Sequence, residues 1–251
     1  MNEHRFDGMG QIYKQFRPSY PQAFLDCIFS EIGLPKNAVF ADVGAGTGIL
    51  TRQLLKTGST VYAVEPNDDM RAQAEADLKC FPNFIAVRGT AEDTKLQNNS
   101  VDCVTAAQAF HWFDRARFQT ECRRILKENG KVVLVWNSRD GDSTLVQENE
   151  RINRAYCPNF KGFSGGMRGA VKAEDFSDFF CGTYEEKTFP HPLTMDKDGF
   201  IGRNLSASYA LKPTDSAYSA YIAALEALFA DFAQDGFVTM PNSTKCYIGK
   251  V

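Results

Sequence analysis

A chain of 251 residues, 43% hydrophobic and 24% charged, is long enough to bury its apolar surface in one domain without metal or disulfide staples. A formal net charge of −3 leaves no electrostatic footprint for nucleic acid, and no run of about 18 apolar residues offers a membrane-spanning helix. The opening stretch lacks the apolar centre of a secretory leader, and the seven cysteines form neither a C-x-x-C pair nor a zinc spacing, so the expectation is a cytoplasmic protein with free thiols and no metal.

Residues 1–37 read as an N-terminal helical segment. "AVFADV" (38–43) is short, apolar and bounded by polar residues and glycines, which predicts a buried strand. The glycines of "GAGTG" follow, then "TGILTRQLLKTG", whose Ile49, Leu50, Leu54 and Leu55 share a helix face and whose Gly58 stands at its end. "TVYAVE" (60–65) is a second strand, and "NDDMRAQAEADLK" a second helix with Asn67 at its N-cap. "FIAV" (84–87) and "VDCVTAAQ" (101–108) are the third and fourth strands. Asp114 caps a helix with Phe118, Cys122, Ile125 and Leu126 inward, Gly130 ends it, and "KVVLVWN" (131–137) is a fifth strand. Beyond it, "STLVQENERINRAYC" and "KAEDFSDFFC" read as helices, "TYEEKTFPHPLT" as a strand, and "NFKGFSGGMRGAV" (159–171) as a glycine-rich loop. "TDSAYSAYIAALEALFADFAQDG" is an amphipathic helix with Ile222, Leu225, Phe229 and Phe232 on one face. "FVTMPNSTKCYIGKV" alternates as a closing strand over 236–251.

Alternating helices and uninterrupted apolar strands imply an α/β fold with a parallel sheet covered on both faces, whose ligand sits at the carboxyl ends of the strands. The whole chain is then one domain, with a cofactor-binding core at 38–137 and a substrate-side insertion at 138–235. The glycine turn, Glu65, Thr90–Glu92 and Gln108 each follow a strand and gather at one crevice.

The turn excludes two ligands. A triphosphate loop needs G-x-x-x-x-G-K-[ST], which is absent. A dinucleotide turn needs G-x-G-x-x-G, and counting from Gly44 and Gly46 the third glycine falls on Ile49, with Gly48 one place early. Glu65, about 20 residues on, is an acid able to accept both hydrogen bonds of a ribose diol. A ribose without a pyrophosphate describes S-adenosylmethionine.

"DVGAGTG", "VYAVEPNDDM" and "GTAEDTKLQNNSVDCVTAAQAFHWF", in this order, resemble the class I S-adenosylmethionine-dependent methyltransferases of the type 11 group. The likeness is strong over 38–137; "YKQFRPSYP" and "PNSTKCYIGKV" are similar to segments of the same group. It implies a Rossmann-like, doubly wound, mostly parallel seven-stranded sheet with an antiparallel C-terminal strand and a helical insertion or lid. It also implies that Asp42, Gly44, Ala45, Gly46 and Gly48 border the methionine part of S-adenosylmethionine, and that Glu65 takes the ribose. Pro66, Met70, Ala91 and Glu92 border the adenine, and Gln108 stands where the methionine end meets substrate. S-adenosylhomocysteine is the implied product. Thr90 stands where the group often has aspartate.

The sulfonium is already an activated methyl donor, so placement supplies most of the acceleration and a base is required only for a protonated nucleophile. Of His4, His111 and His191, only His111 lies beside the crevice, as a base or as a packing residue, with Trp112 and Phe113 next to it as candidate walls of the substrate pocket or as cover for the sheet edge. "AQAFHWFD" resembles trans-aconitate-type methyltransferases, which esterify small carboxylic acids; a carboxylate needs no base but wants a cationic clamp, for which Arg17, Arg139 and Arg168 are available. Tyr13, Arg17 and Tyr20 belong to a segment able to fold over the cofactor, and Tyr156 is a candidate substrate wall. The expected partner is a small-molecule acceptor, without nucleic acid or membrane, on a monomer or homodimer. RNA or protein as acceptor, and cofactor binding without catalysis, are the competing readings.

Overall fold

The computed structural model describes residues 16–30, 32–163 and 176–251. In chain order its elements are α1 (Gln22–Ser30), β1 (Val39–Val43), α2 (Ile49–Leu55), β2 (Thr60–Val64), α3 (Asp68–Leu78), β3 (Phe84–Val87) and β4 (Val101–Ala107). A 3-10 turn (Phe110–Trp112), α4 (Arg115–Ile125), β5 (Leu126–Arg139), α5 (Thr144–Tyr156) and β6 (Glu185–Pro190) follow. The chain closes with β7 (Leu193–Met195), α6 (Lys197–Leu205), α7 (Tyr218–Phe232), β8 (Val238–Met240) and β9 (Asn242–Gly249).

Seven strands form one sheet in the order β3-β2-β1-β4-β5-β9-β6. The neighbours from β3 to β5 pair in parallel, and β9 runs antiparallel to both β5 and β6. This is the mostly parallel, doubly wound sheet with a reversed C-terminal strand that the sequence predicts. The continuous apolar strands bury both faces: α1, α2 and α3 cover one through Phe24, Ile28, Leu54 and Leu78, and α4 covers the other through Phe118, Cys122 and Ile125. Asn67 and Asp114 cap α3 and α4, accepting the N–H groups of Met70 and Arg117 at 2.9 and 3.1 Å. A third core joins α5, α6 and α7 around Phe200, Tyr221 and Leu225.

The differences from the sequence expectation lie mostly outside the core. Helix α4 stops at Ile125 and not at Gly130, because β5 begins at Leu126 and pairs with Val101 before a register shift carries it on to Arg139. "TYEEKTFPHPLT" is two strands: Pro190 and Pro192 lack the donors that a ladder needs, so β6 ends there and β7 pairs with β8 in a separate two-stranded sheet. Only Asn242–Gly249 closes the main sheet. Within "KAEDFSDFFC" the described residues 176–181 are turns: the Phe179 and Phe180 N–H groups both donate to the Phe176 carbonyl, at 2.9 and 2.8 Å, a single turn that does not continue as a helix, with Phe176, Phe179 and Phe180 in the core. The buried face of α7 is Tyr221, Leu225, Leu228 and Phe229, with Ile222 and Phe232 half-buried at its edges. Residues 164–171 of the glycine-rich stretch, with Arg168, and Tyr13 lie outside the described residues. None of the described helices is long and apolar enough to cross a membrane.

Candidate active site

A cavity of about 500 Å³ opens at the carboxyl ends of β1, β2, β4 and β5. After β1 the chain turns through positive-φ glycines, and the Gly44 and Ala45 N–H groups donate to the Val64 carbonyl at 2.9 and 3.2 Å, pinning the turn against β2. Gly48 (φ +79°) is the left-handed N-cap of α2, where a Cβ would stand 2.7 Å from Leu78; it faces α3, not the cavity. Gly46 (φ +57°) lines the cavity, and a Cβ there would meet nothing within 4 Å.

Asp42 lies under the turn, its two oxygens accepting the Thr51 and Thr105 hydroxyls at 2.6 and 2.9 Å. Burial still raises its pKa above the ordinary aspartate range. Glu65 accepts the Gly46 N–H on one oxygen at 2.8 Å and the Asn67 N–H on the other at 2.9 Å. Burial raises its pKa as well, against those two hydrogen bonds. Each carboxylate oxygen keeps a second lone-pair direction for a ligand hydroxyl. Pro66 and Met70 continue the wall, with Ala91 and Glu92 from the loop after β3; Glu92 accepts the Asp114 N–H at 2.9 Å.

Beyond β4 the lining changes character. Gln108 adopts φ +57°, rare for a side chain with a Cβ, and its amide donates to the Asn137 carbonyl at 3.2 Å. Asn137, at the end of β5, donates to the Ser19 carbonyl at 3.1 Å and accepts the Thr244 hydroxyl at 2.5 Å. Tyr20 and Gln53 exchange two hydrogen bonds at 2.9 and 2.7 Å, and Arg17 donates to the Ser206 carbonyl at 3.0 Å. The segment 16–20 is thereby strapped across the opening. Arg139 places its guanidinium 3.9 Å from the Phe163 ring centroid, and Arg203 of α6 lines the same end although only 5% exposed.

The cavity therefore brings together Asp42, Gly44, Ala45, Gly46, Glu65, Pro66, Met70, Ala91, Glu92, Gln108, Arg17, Tyr20 and Trp112. His111 does not line it: its ring packs on Trp112, 4.5 Å away between centroids, on the 3-10 turn. Tyr156 turns instead to Tyr221 in the third core, 6.0 Å away between centroids. Thr47, Asn137 and Arg203 line the cavity without having been singled out in the sequence, and Asn67, expected only as a helix cap, lines it as well. Asn137 had a signal, standing after the fifth strand as Gln108 stands after the fourth. Arg203, alone in "GFIGRNL", had none.

The residues fit an adenosyl cofactor. Thr47 is 3% exposed and its hydroxyl has no hydrogen-bond partner among the described residues, a buried polar atom on the wall of the cavity. Gly46 leaves open space beside it, and Glu65 offers its paired acceptors.

Residues 41–134 match the family model described as a methyltransferase domain. A methyltransferase-like protein of Schizosaccharomyces pombe, itself uncharacterised, is 34% identical over 184 residues, which is 69% of this chain and 71% of that protein. An uncharacterised methyltransferase of Mycobacterium tuberculosis is 44% identical over 137 residues, 54% of this chain and 53% of that one, so the chain spans about half the length of this relative. Among solved structures, a candidate type II methyltransferase from Anaeromyxobacter dehalogenans superposes with a TM-score of 0.66 at 22% identity, covering 94% of this chain and 98% of that one. The last likeness is one of fold.

Proposed function

The chain belongs to the class I S-adenosylmethionine-dependent methyltransferases of the type 11 group, and from that premise we propose that it methylates a small-molecule acceptor, in the first instance a carboxylate. S-adenosylmethionine, when bound, supplies a methyl group already activated on a sulfonium. Glu65 holds the ribose through its two oxygens, and the Gly46 N–H bonded to it keeps the turn in place. Met70, Pro66 and Ala91 give an apolar wall for the adenine. Gln108, held in its strained conformation by the Val135 and Asn137 carbonyls, marks where the cofactor half meets the acceptor half.

One observation carries the acceptor reading. The acids lining the cavity, Asp42, Glu65 and Glu92, all stand at its β1–β3 end; of its four arginines Arg117 stands near Glu92 at the start of α4, whereas Arg17, Arg139 and Arg203 stand at the other end. A cationic wall suits an anionic acceptor. A carboxylate is ionised at neutral pH and needs no base, which agrees with a histidine outside the lining; orientation of two bound partners is then the main source of rate. The strap at 16–20 helps exclude water.

The test has two arms. S-adenosylhomocysteine at millimolar concentration is expected to raise the melting temperature, and no shift would refute the cofactor assignment. Cell extract incubated with methyl-labelled S-adenosylmethionine is expected to carry label in its small-molecule fraction. Label confined to RNA or protein would refute the acceptor class.

A further inference from the structure

We propose that Glu121 of α4 is a positioning residue for the cofactor's purine: through Thr94 it aims the loop after β3, and with it Ala91 and Glu92, at the amino edge of the adenine. This rests on the adenine wall argued above and adds what holds that wall in place.

Helix α4 turns Phe118, Glu121, Cys122 and Ile125 to the interior. A carboxylate on such a face is costly unless hydrogen bonds compensate it, and an apolar side chain would pack there at less cost. Glu121 is 6% exposed, and its compensation is directed at the loop after β3. One oxygen accepts the Thr94 N–H at 2.8 Å and the Thr94 hydroxyl at 2.5 Å. Arg124 closes the other side, donating to both carboxylate oxygens at 2.7 and 2.8 Å. The same guanidinium donates to the Leu96 carbonyl at 2.8 Å and to the Asn98 side-chain oxygen at 2.7 Å. Burial by itself would raise the Glu121 pKa, but the hydrogen bonds from Arg124 and Thr94 outweigh it and hold the carboxyl below the ordinary glutamate range.

Thr94 passes that fixed position on to the cavity. It is fully buried, and a Cβ at Gly89 would stand 2.8 Å from its carbonyl oxygen, so the two limbs of the loop touch here. Between the limbs, Thr90 and Asp93 exchange two backbone hydrogen bonds at 3.0 and 3.3 Å, which leaves Ala91 and Glu92 as the tip. Both tip residues line the cavity. The tip is tied a second time to the same helix: Glu92 accepts the N–H of Asp114, the N-cap of α4, two turns before Glu121. Lys95 has φ +64°, rare for a residue with a Cβ. That strained conformation lies between Thr94 and Leu96, the two residues that the Glu121–Arg124 pair holds.

The consequence is one of base recognition. The Glu92 carboxylate keeps acceptor capacity beyond the single Asp114 N–H. An acceptor at the cavity wall pairs with an amino group and repels a carbonyl, so the place at which the clamp sets the tip decides how sharply adenine is told from hypoxanthine. A tip released from Glu121 would still line the cavity, but at no fixed distance from the base.

Calorimetry on the full chain measures Kd for S-adenosylhomocysteine and for S-inosylhomocysteine, which carries a carbonyl in place of the amino group. It uses the wild type, Glu121→Gln, Thr94→Val, Thr94→Ser and Phe176→Ala. The wild type is expected to prefer the adenine ligand by about 30-fold, the worth of one hydrogen bond to a charged group. Glu121→Gln sets an amide against the donors of Thr94 and Arg124 and should lower that ratio to about three-fold or less. Thr94→Val removes one of the two threonine bonds and should lower it to about 10-fold, which carries the test if the glutamine variant does not fold. Thr94→Ser keeps both donors and should restore the wild-type ratio. Phe176→Ala opens the aromatic cluster beside Phe110, away from the loop, and should leave the ratio unchanged. A ratio unmoved in the folded Glu121 and Thr94 variants, or lowered as far by Phe176→Ala, would overturn the positioning role and leave the adenine wall standing. A wild type that binds both ligands equally would remove the adenine reading of Ala91 and Glu92, and the positioning role with it.

Discussion

Glu65 receives the Gly46 and Asn67 N–H groups, one on each oxygen, and so fixes the glycine turn while its remaining lone pairs face the cavity. Glu65→Ala is therefore expected to weaken S-adenosylhomocysteine binding by about 10–100-fold in calorimetry, the worth of a charged acceptor plus a loosened turn. Unchanged affinity would refute the ribose assignment. Because burial raises the Glu65 pKa, the carboxylate protonates at a higher pH than an exposed glutamate. Ligand affinity should then fall as pH drops through that raised value, and Glu65→Gln should flatten the dependence. The sign for stability is opposite: an acid with a raised folded pKa binds its proton more tightly when folded, so its own contribution to the ligand-free protein grows as pH falls from the folded toward the unfolded pKa. Gly48 is constrained differently, by a left-handed φ and by Leu78. Gly48→Ala should cost about 1–2 kcal/mol in urea unfolding, limited by how far the Leu78 side chain yields.

Strand β5 does more at the scale of elements than its apolar run foretells. Its buried residues pack both faces, its end supplies Asn137 and Arg139 to the cavity, and its far edge takes β9. The α4 face is closed by aromatic rings: Phe176 lies 5.8 Å from Phe110, 5.9 Å from Trp136 and 4.6 Å from Tyr247 between centroids. Phe176→Ala should lose about 3–5 kcal/mol of unfolding free energy, read by denaturant titration, because rings held by turns leave a cavity when one is removed. A loss below about 1 kcal/mol would mean that the cluster collapses to fill the space. The turns at 176–181 escape a periodicity argument because "FSDFF" places its phenylalanines at spacings a helix would also use. The split of "TYEEKTFPHPLT" was legible in its two prolines.

Across the whole molecule, the cavity joins the ends of four strands, the strap at 16–20 and α6. A ligand bound there stabilises all of these together. At about 100 times its Kd, S-adenosylhomocysteine adds about 2.7 kcal/mol, which for a domain of this size is a rise of roughly 5–10 °C in Tm. The strap's hydrogen bonds to Gln53, Asn137 and Ser206 link residues more than 30 positions apart along the chain. No local pattern announces them.

By itself the sequence determined the alternation of strands and helices, the glycine turn, the acid that ends β2 beside it and the caps of α3 and α4. Each of these is written within about 20 neighbouring residues, where backbone geometry and side-chain periodicity act locally. Tertiary structure alone decided which cations line the cavity. Arg17, Arg139 and Arg203 come from the N-terminal strap, the end of β5 and α6, and only the packing of α6 beside the sheet brings them to one wall. It also decided that His111 and Tyr156 turn away, because a side chain's direction on a turn or a helix follows the surface its element packs against.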